Sequence, residues 1–329
     1  MGEKIERELK WAVLGTGIIA NEMAQALEKM GKKLYAVANR THSKAVEFAG
    51  KYGVQKIYDK IEDMFTDEET DIIYITTPHN THIKFMIEAL KNGKHVLCEK
   101  SITLNSEELE EAVKIAKEKN LILGEAMTIF NMPLYTELLE IVNSGKLGDV
   151  KMIQVNFGSY KEYDMSNRFF NRNLAGGALL DIGVYAISIT RLFMLSKPDN
   201  VLSQVKYAPT GVDEQVGIIM MNKEQQMSTI ALTLHSKQPK RVVIACEKAY
   251  IEITEYPRAD KAKIVYTETG EVEEITAGMT ANALQYELQN MEESVKTGIN
   301  KMKLEYTIDV MDIMTKLRKD WGMTYPEEE

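Results

Sequence analysis

The run Lys10-Trp11-Ala12-Val13-Leu14-Gly15-Thr16-Gly17-Ile18-Ile19-Ala20 constrains this chain more than any other. Apolar residues of a strand run straight into two glycines, and a helical pattern follows. Gly15-x-Gly17-x-x-Ala20 has the spacing of a dinucleotide-binding turn. Its first glycine permits the tight turn and its second lets the backbone approach a pyrophosphate. The small third residue lets the helix pack closely on the strand. The free amides at the start of that helix then face the anion. Gly15, Thr16, Gly17, Ile18 and Ile19 are therefore candidate cofactor contacts.

The pattern downstream agrees. Apolar strand segments at 10–14, 34–38, 72–75, 95–98 and 121–123 alternate with helical patterns at 18–30, from 43, at 81–91 and at 106–119. Such alternation means crossover connections and a parallel sheet, and near-continuous apolar strands mean a sheet covered on both faces. After about Gly124 the pattern changes. A helix is expected at 134–143, then strands at 150–157, 201–207, 215–221, 228–234, 241–246 and 250–254. One helix interrupts them at 181–194, and two more close the chain at 284–296 and 306–318. Strands with few intervening helices predict a largely antiparallel sheet. In segment 228–234, Ile230, Leu232 and Leu234 share one face. No internal repeat or low-complexity segment is evident.

Composition narrows the function. The 329 residues suffice for two domains, and a hydrophobic share of 44% with 27% charged residues fits a folded soluble chain. A net charge of −9 argues against a broad nucleic-acid surface. The two cysteines, Cys98 and Cys246, have no metal-binding spacing and are expected to be reduced thiols in a cytoplasmic protein. The stretch from Met1 to Glu8 is charged and has no apolar core, so no signal peptide is expected. Glu6 also stands where a myristoylation motif needs Ser or Thr. No apolar run is expected to span a membrane. The 19 methionines are read as core and interface packing.

The end of the second strand bears on cofactor choice. NAD-binding chains usually place Asp or Glu there to hold the ribose diol. Here the residues are Asn39 and Arg40, with Thr41, Ser43 and Lys44 nearby. Without the acid a 2′-phosphate meets no repulsion, and Arg40 can hold it by charge-assisted bonds. NADP is favoured, and NAD remains possible with Arg40 over the adenine.

Two further segments carry proton chemistry. Val96-Leu97-Cys98-Glu99-Lys100 is an apolar strand that ends in a carboxylate and an amine, at the end of the sheet where open α/β folds bind ligands. Ala175-Gly176-Gly177 leads into Asp181-Ile182-Gly183-Val184-Tyr185, whose i,i+4 spacing puts Asp181 and Tyr185 on one helical face. The glycines are read as allowing a ligand to approach the backbone. A phenol beside a lysine ammonium ionises more readily, which suits proton transfer. Lys100, Tyr185 and Asp181 are the catalytic candidates. His79 and His82 could suggest a metal, but no third convergent ligand is evident. Arg168 and Arg172 could equally reach a pocket or lie on the surface.

Taken as a set, these residues resemble the Gfo/Idh/MocA oxidoreductases. The resemblance rests on the Gly15 turn, Thr76-Thr77-Pro78-His79-Asn80-Thr81-His82, Glu99-Lys100 and the segment from Gly176 to Tyr185. The Asp-x-Gly-x-Tyr form especially resembles the branch of dimeric dihydrodiol dehydrogenase and NADP-dependent xylose dehydrogenase. The resemblance implies an α/β fold with an N-terminal Rossmann domain over 1–125. A C-terminal α/β domain over 126–329 would carry an open, mainly antiparallel sheet, with the terminal helix a candidate to pack back on the first domain. It also implies that the open sheet face builds a homodimer or homotetramer. Lys100 would touch both the substrate hydroxyl and the nicotinamide ribose, Tyr185 would be the general acid/base, and Asp181 a positioning residue. Thr77, Asn80, His82 and Glu99 would lie against the cofactor. Two positions depart from the pattern. The usual Glu-Lys-Pro reads Glu99-Lys100-Ser101, and a cis bond before serine costs about 2.5–4 kcal/mol, so this sequence leaves the geometry of that bond open. Residues 126–131 lack the arginine often found there.

The expected function is hydride transfer between a nicotinamide dinucleotide and a sugar, cyclic polyol or vicinal diol, with no nucleic-acid or membrane partner. Two alternatives remain at this point: an NAD-dependent glycoside hydrolase of the same fold, and a non-catalytic protein that senses a dinucleotide or sugar.

Overall fold

A computed structural model describes residues 7–329; most of the charged stretch read as lacking a signal peptide lies outside it. In chain order the elements begin β1 Trp11–Leu14, α1 Ile18–Lys29, β2 Ala36–Ala38, α2 His42–Tyr52, β3 Lys56–Ile57 and α3 Ile61–Thr66. They continue β4 Ile72–Ile75, α4 His82–Lys91, β5 His95–Glu99, α5 Ser106–Glu118, β6 Leu123–Ala126, α6 Pro133–Asn143 and β7 Val150–Gly158. Then come α7 Val184–Phe193, β8 Asn200–Tyr207, β9 Asp213–Met221, β10 Met227–Thr233, β11 Gln238–Cys246 and β12 Ala249–Thr254. The series ends with β13 Lys261–Tyr266, β14 Val272–Thr276, α8 Ala283–Thr297 and α9 Leu304–Asp320.

Two compact units result. The first holds residues up to Met127 together with Leu284–Leu304, and the second holds Thr128–Ala283 with Glu305–Glu329. The helix that rejoins the first unit is therefore α8, whereas the terminal helix α9 belongs to the second. Leu284, Leu288, Met291 and Val295 explain this, because they bury their side chains in the core built around Trp11, Val13 and Tyr74. Glu292 on the same helix accepts a hydrogen bond from the Trp11 indole at 3.0 Å and pairs with Lys32.

The first unit's sheet runs β3-β2-β1-β4-β5-β6, all parallel. Strands β1 and β4 are buried at every position, as a doubly covered sheet requires. The chain reverses direction across the sheet between β1 and β4, so a crevice opens beyond their C-terminal ends. Strand β6 lies two residues later than the sequence suggests. Gly124 and Glu125 read locally as strand breakers, but Gly124 leaves room for Met302, and Glu125 accepts the Ile102 amide at 3.1 Å.

The second unit's sheet runs β14-β13-β12-β11-β7-β10-β9-β8, antiparallel except for the parallel β7–β10 pair. One face is buried through Ile153, Val155, Ile218, Ile230, Leu232, Val242 and Ile244. The other face is open. One row of paired residues crosses all eight strands on it: Asn200, Met221, Met227, Met152, Ala245, Tyr250, Val265 and Val272. By length and composition Arg172–Phe193 could cross a membrane, contrary to the expectation from sequence. Most of it is buried inside the protein, as in a core helix.

At Gly124 an added Cβ would sit 2.6 Å from the Met302 Cγ, and Met302 is fully buried. Gly124→Ala should therefore destabilise the chain by about 1–3 kcal/mol through overpacking. Urea denaturation followed by circular dichroism reads the loss, and a Gly124→Ala chain as stable as the parent would refute this packing.

Candidate active site

The first unit builds a candidate cofactor site at the C-terminal ends of β1, β2, β4 and β5. Gly15 has φ +109°, and a Cβ there would sit 2.5 Å from the Thr76 Oγ1. The Gly15 amide bonds to the Ala38 carbonyl at 2.8 Å, and the Thr76 amide to the Leu14 carbonyl at 2.9 Å. The turn is thus wedged between neighbouring strand ends, and any side chain would prise it open. Gly17 caps α1 with no side-chain acceptor, and the helix's first turn carries no acidic residue. Space around Gly17 is empty within 4 Å of an added Cβ, and Ile18 is 82% exposed. A bare helix N-terminus in open space fits an anionic pyrophosphate.

The neighbouring loop is tied to this turn. Asn39 donates from Nδ2 to the Thr16 Oγ1 at 2.5 Å and accepts the Thr41 amide at 2.9 Å. Asn39 thereby fixes the loop that presents the exposed side chain of Arg40. Asn21 braces the same turn, donating to the Gly17 carbonyl at 2.9 Å.

Lys100 follows directly after β5 and is half-buried. The Lys100–Ser101 peptide is cis. Three groups grip this turn. His79 Nε2 lies 3.1 Å from the Lys100 carbonyl, His82 Nδ1 lies 3.0 Å from the Ser101 carbonyl, and Glu125 accepts the Ile102 amide. His82 Nε2 also faces the Thr77 carbonyl, at 2.8 Å. Glu99 accepts a hydrogen bond from the Tyr74 hydroxyl, whose pKa is raised well above normal by burial and then by the Glu99 charge.

These contacts revise one expectation. His82 is fully buried, and both its ring nitrogens face backbone carbonyls, so it shapes the Lys100 turn from behind and does not line the cofactor. Burial lowers its pKa, with the backbone carbonyls opposing. Thr77, Asn80 and Glu99 are half-buried around the same strand ends. Among the described residues no cluster of metal-ligating side chains occurs.

The second unit carries Asp181 and Tyr185. The helix begins as a π-turn over Leu179–Gly183, in which the Val184 amide bonds back to the Leu179 carbonyl, and continues as α7. Such turns are rare and cluster at functional sites. From 175 to 190 every residue is buried except Tyr185, which is half-exposed. Its ring lies 6.1 Å from that of Phe157, which in turn meets Tyr256 edge-on at 5.9 Å. The Arg168 guanidinium lies 3.8 Å from the Asp181 carboxylate, whereas Arg172 donates to the Thr324 carbonyl at 2.9 Å. Of the two arginines only Arg168 therefore faces the candidate site.

The paired glycines have a different role from the one expected. A Cβ at Gly176 would sit 2.8 Å from the carbonyl oxygens of Arg168 and Phe169, and one at Gly177 would sit 2.1 Å from the Asp213 Oδ1. The atoms that need the missing side chains are the protein's own. Sequence reasoning missed Tyr74, Glu125 and Asp213. Each acts on a residue between 23 and 34 positions away, and no local pattern marks such pairs.

A sequence-family profile described as "Oxidoreductase family, NAD-binding Rossmann fold" matches residues 9–127, and one described as "GFO/IDH/MocA C-terminal domain" matches 135–252. The chain is 30% identical to the trans-1,2-dihydrobenzene-1,2-diol dehydrogenase of Xenopus laevis, over 96% of this chain and 99% of that one. It is 26% identical to the human protein of the same name, over 97% and 99%. Its fold matches KijD10, a 3-ketoreductase from Actinomadura kijaniata solved with NADP and TDP-benzene, at a TM-score of 0.85 and 18% identity, covering 95% of this chain and 98% of that one. It also matches a levoglucosan dehydrogenase solved with NADH and levoglucosan, at 0.83 and 16%, with the same coverage. A glycine turn wedged under Thr76, a bare α1 N-terminus and two matched domains over one chain lead to a single assignment: the protein belongs to the Gfo/Idh/MocA oxidoreductase family, with an NAD-binding Rossmann fold in its first unit.

Proposed function

We propose that this protein is an NADP-dependent dehydrogenase or reductase acting on a sugar, cyclic polyol or other vicinal diol. The observation that carries the reading is Tyr185, a half-exposed phenol in an otherwise buried stretch, 175–190, one turn beyond Asp181. When bound, the nicotinamide accepts or supplies the hydride. Tyr185 exchanges the proton of the reacting hydroxyl through its phenol oxygen. Lys100, directly after β5 in the first unit, offers an ammonium for proton chemistry, and Asp181 in the second unit orients the reacting group. The relatives' names, all dehydrogenases of a vicinal diol, favour a substrate with adjacent hydroxyls. Arg40 holds the 2′-phosphate, because no carboxylate stands at the end of β2 to repel it. Both cysteines are free, which suits a cytoplasmic protein.

The open sheet face supports assembly. Leu202, Ile219, Met152, Met227 and Tyr250 are exposed on it, with Leu202 opposite Ile219 and Met227 opposite Met152 on paired strands. Isolated apolar side chains on a surface are ordinary, but a row across eight strands is a patch that water disfavours. A second copy of the same face can cover it, giving a homodimer or, by repetition, a homotetramer.

Three outcomes test these readings. Lys100→Met and Tyr185→Phe should each lower kcat by about 10²–10⁴-fold while leaving NADP affinity within about threefold. An absorbance assay at the reduced-nicotinamide band across aldoses, inositols and trans-diols measures this, and wild-type rates in either variant would refute the assignment. Arg40→Ala should weaken NADP binding by about 10–100-fold and NAD binding far less, as read by fluorescence titration. Equal loss for both cofactors would place Arg40 elsewhere. Light scattering coupled to size exclusion should find a dimer or tetramer that Ile219→Lys with Met152→Lys reduces to monomer; a monomeric parent protein would end that proposal.

A further inference from the structure

The segment bearing Asp181 and Tyr185 starts from a turn that is gripped on two sides. On one side the Leu179 amide donates to the Asp213 Oδ2 at 2.6 Å, from the first residue of β9. Asp213 is fully buried, and its Oδ1 makes no hydrogen bond among the described residues and packs against Gly177. On the other side the Tyr325 hydroxyl donates to the Gly176 carbonyl at 2.7 Å. Tyr325 is itself fully buried and locked in place. The Arg318 guanidinium lies 4.7 Å over its ring and binds the Glu328 carboxylate through two bonds of 2.6 and 2.7 Å. Glu328 also accepts the Tyr325 amide at 2.9 Å, and Arg172 ties down Thr324.

This grip lies immediately before the π-turn. A π-turn carries one more residue than the α-helical turn it replaces, so it persists only where its surroundings hold it. The Asp181 amide reaches the Gly177 carbonyl at a long 3.3 Å, which makes the ladder at this point weak. Relaxation to a regular helix would rotate Asp181 relative to Tyr185 without disturbing the rest of α7.

We propose that Asp213 and Tyr325 are positioning residues that clamp the Gly176–Gly177 turn and so set the register of Asp181 against Tyr185. The proposal rests on the reading of Tyr185 as the proton-exchanging group. Neither clamp residue need touch substrate; both act through the backbone of residues 176–179. Burial pushes the Asp213 carboxyl up to about 7, against the pull of the Leu179 amide and the Arg318 charge. The bond to Leu179 therefore does not depend on a full charge, and an amide oxygen can replace the carboxylate as acceptor.

The test compares Asp213→Ala, Asp213→Asn and Tyr325→Phe with Tyr185→Phe in the full chain. Asp213→Ala and Tyr325→Phe should lower kcat by about 10–100-fold, the loss that a misplaced reacting group causes, with KM for the dinucleotide within about twofold. Asp213→Asn, which keeps the acceptor, should recover most of the rate lost in Asp213→Ala. If Asp213→Ala does not fold, Tyr325→Phe decides, since it removes one hydroxyl and no packing volume. A Tyr325→Phe protein that folds and turns over at the parent kcat overturns the clamp, provided Tyr185→Phe has lost activity. Parent activity in Tyr185→Phe overturns the reading of Tyr185, and the clamp's assigned purpose with it.

Discussion

A backbone carbonyl taken out of water must find a donor, and the Lys100 turn leaves its strand where no ladder continues. The first unit solves this with two imidazoles. His79 serves the Lys100 carbonyl, while His82 stands between the carbonyls of Thr77 and Ser101. Burial lowers the His82 pKa, while the carbonyls that face both ring nitrogens oppose that shift. Glu125 completes the grip from the adjacent strand by taking the Ile102 amide. The aim of the Lys100 side chain follows from this scaffold. The histidines therefore contribute indirectly, by holding the backbone from which the ammonium projects.

The two units use glycine for the same physical end. At Gly15 the missing side chain lets Thr76 close over the turn, and at Gly177 it lets the Asp213 carboxylate press against the backbone. Both residues hold positive φ, at +109° and +127°, where a side chain is strained as well as obstructed. In each case the gap left by glycine is filled by a strand end from elsewhere in the same unit. A rigid turn then presents a helix N-terminus: bare and open at α1, capped by a buried carboxylate ahead of α7. That difference matches their chemistry. The open N-terminus can bind an anion, and the capped one cannot, because its amide is already satisfied by Asp213.

The first unit was largely legible in the sequence because its signals are local. Strands β1, β4 and β5 are continuous apolar runs, and the glycine turn sits directly after one of them. In the second unit the strands with strict alternation were legible, and Ile230, Leu232 and Leu234 do share a buried face. Strands β13 and β14 were not foreseen. Lys261, Lys263, Glu273 and Glu274 make them look like solvated loop, and that charge suits strands at and next to a sheet edge. The short β3 and α3 fell below the length at which periodicity registers. What sequence could not reveal is pairing at a distance. Tyr325 meets Gly176 across 149 residues, and Trp11 meets Glu292 across 281. The fate of the closing helices also lay beyond local pattern, since α8 and α9 have similar amphipathic sequences and join different units.

Burial also separates three phenols that lie together in the second unit. Tyr135, Tyr256 and Tyr185 lie in one aromatic region, linked through Phe157, Phe193 and the bond from the Tyr135 hydroxyl to the Tyr256 carbonyl. Desolvation raises the pKa of Tyr135 and Tyr256 far above the ordinary phenol value, so neither ionises near neutrality. Their hydroxyls serve the interior, and the Tyr256 hydroxyl makes no hydrogen bond among the described residues. Tyr185 projects from the same packed layer but keeps part of its surface open. A base for a substrate hydroxyl must be reachable by that hydroxyl and must return its proton to solvent. Of the three phenols only Tyr185 keeps exposed surface, as its proposed role in proton exchange requires.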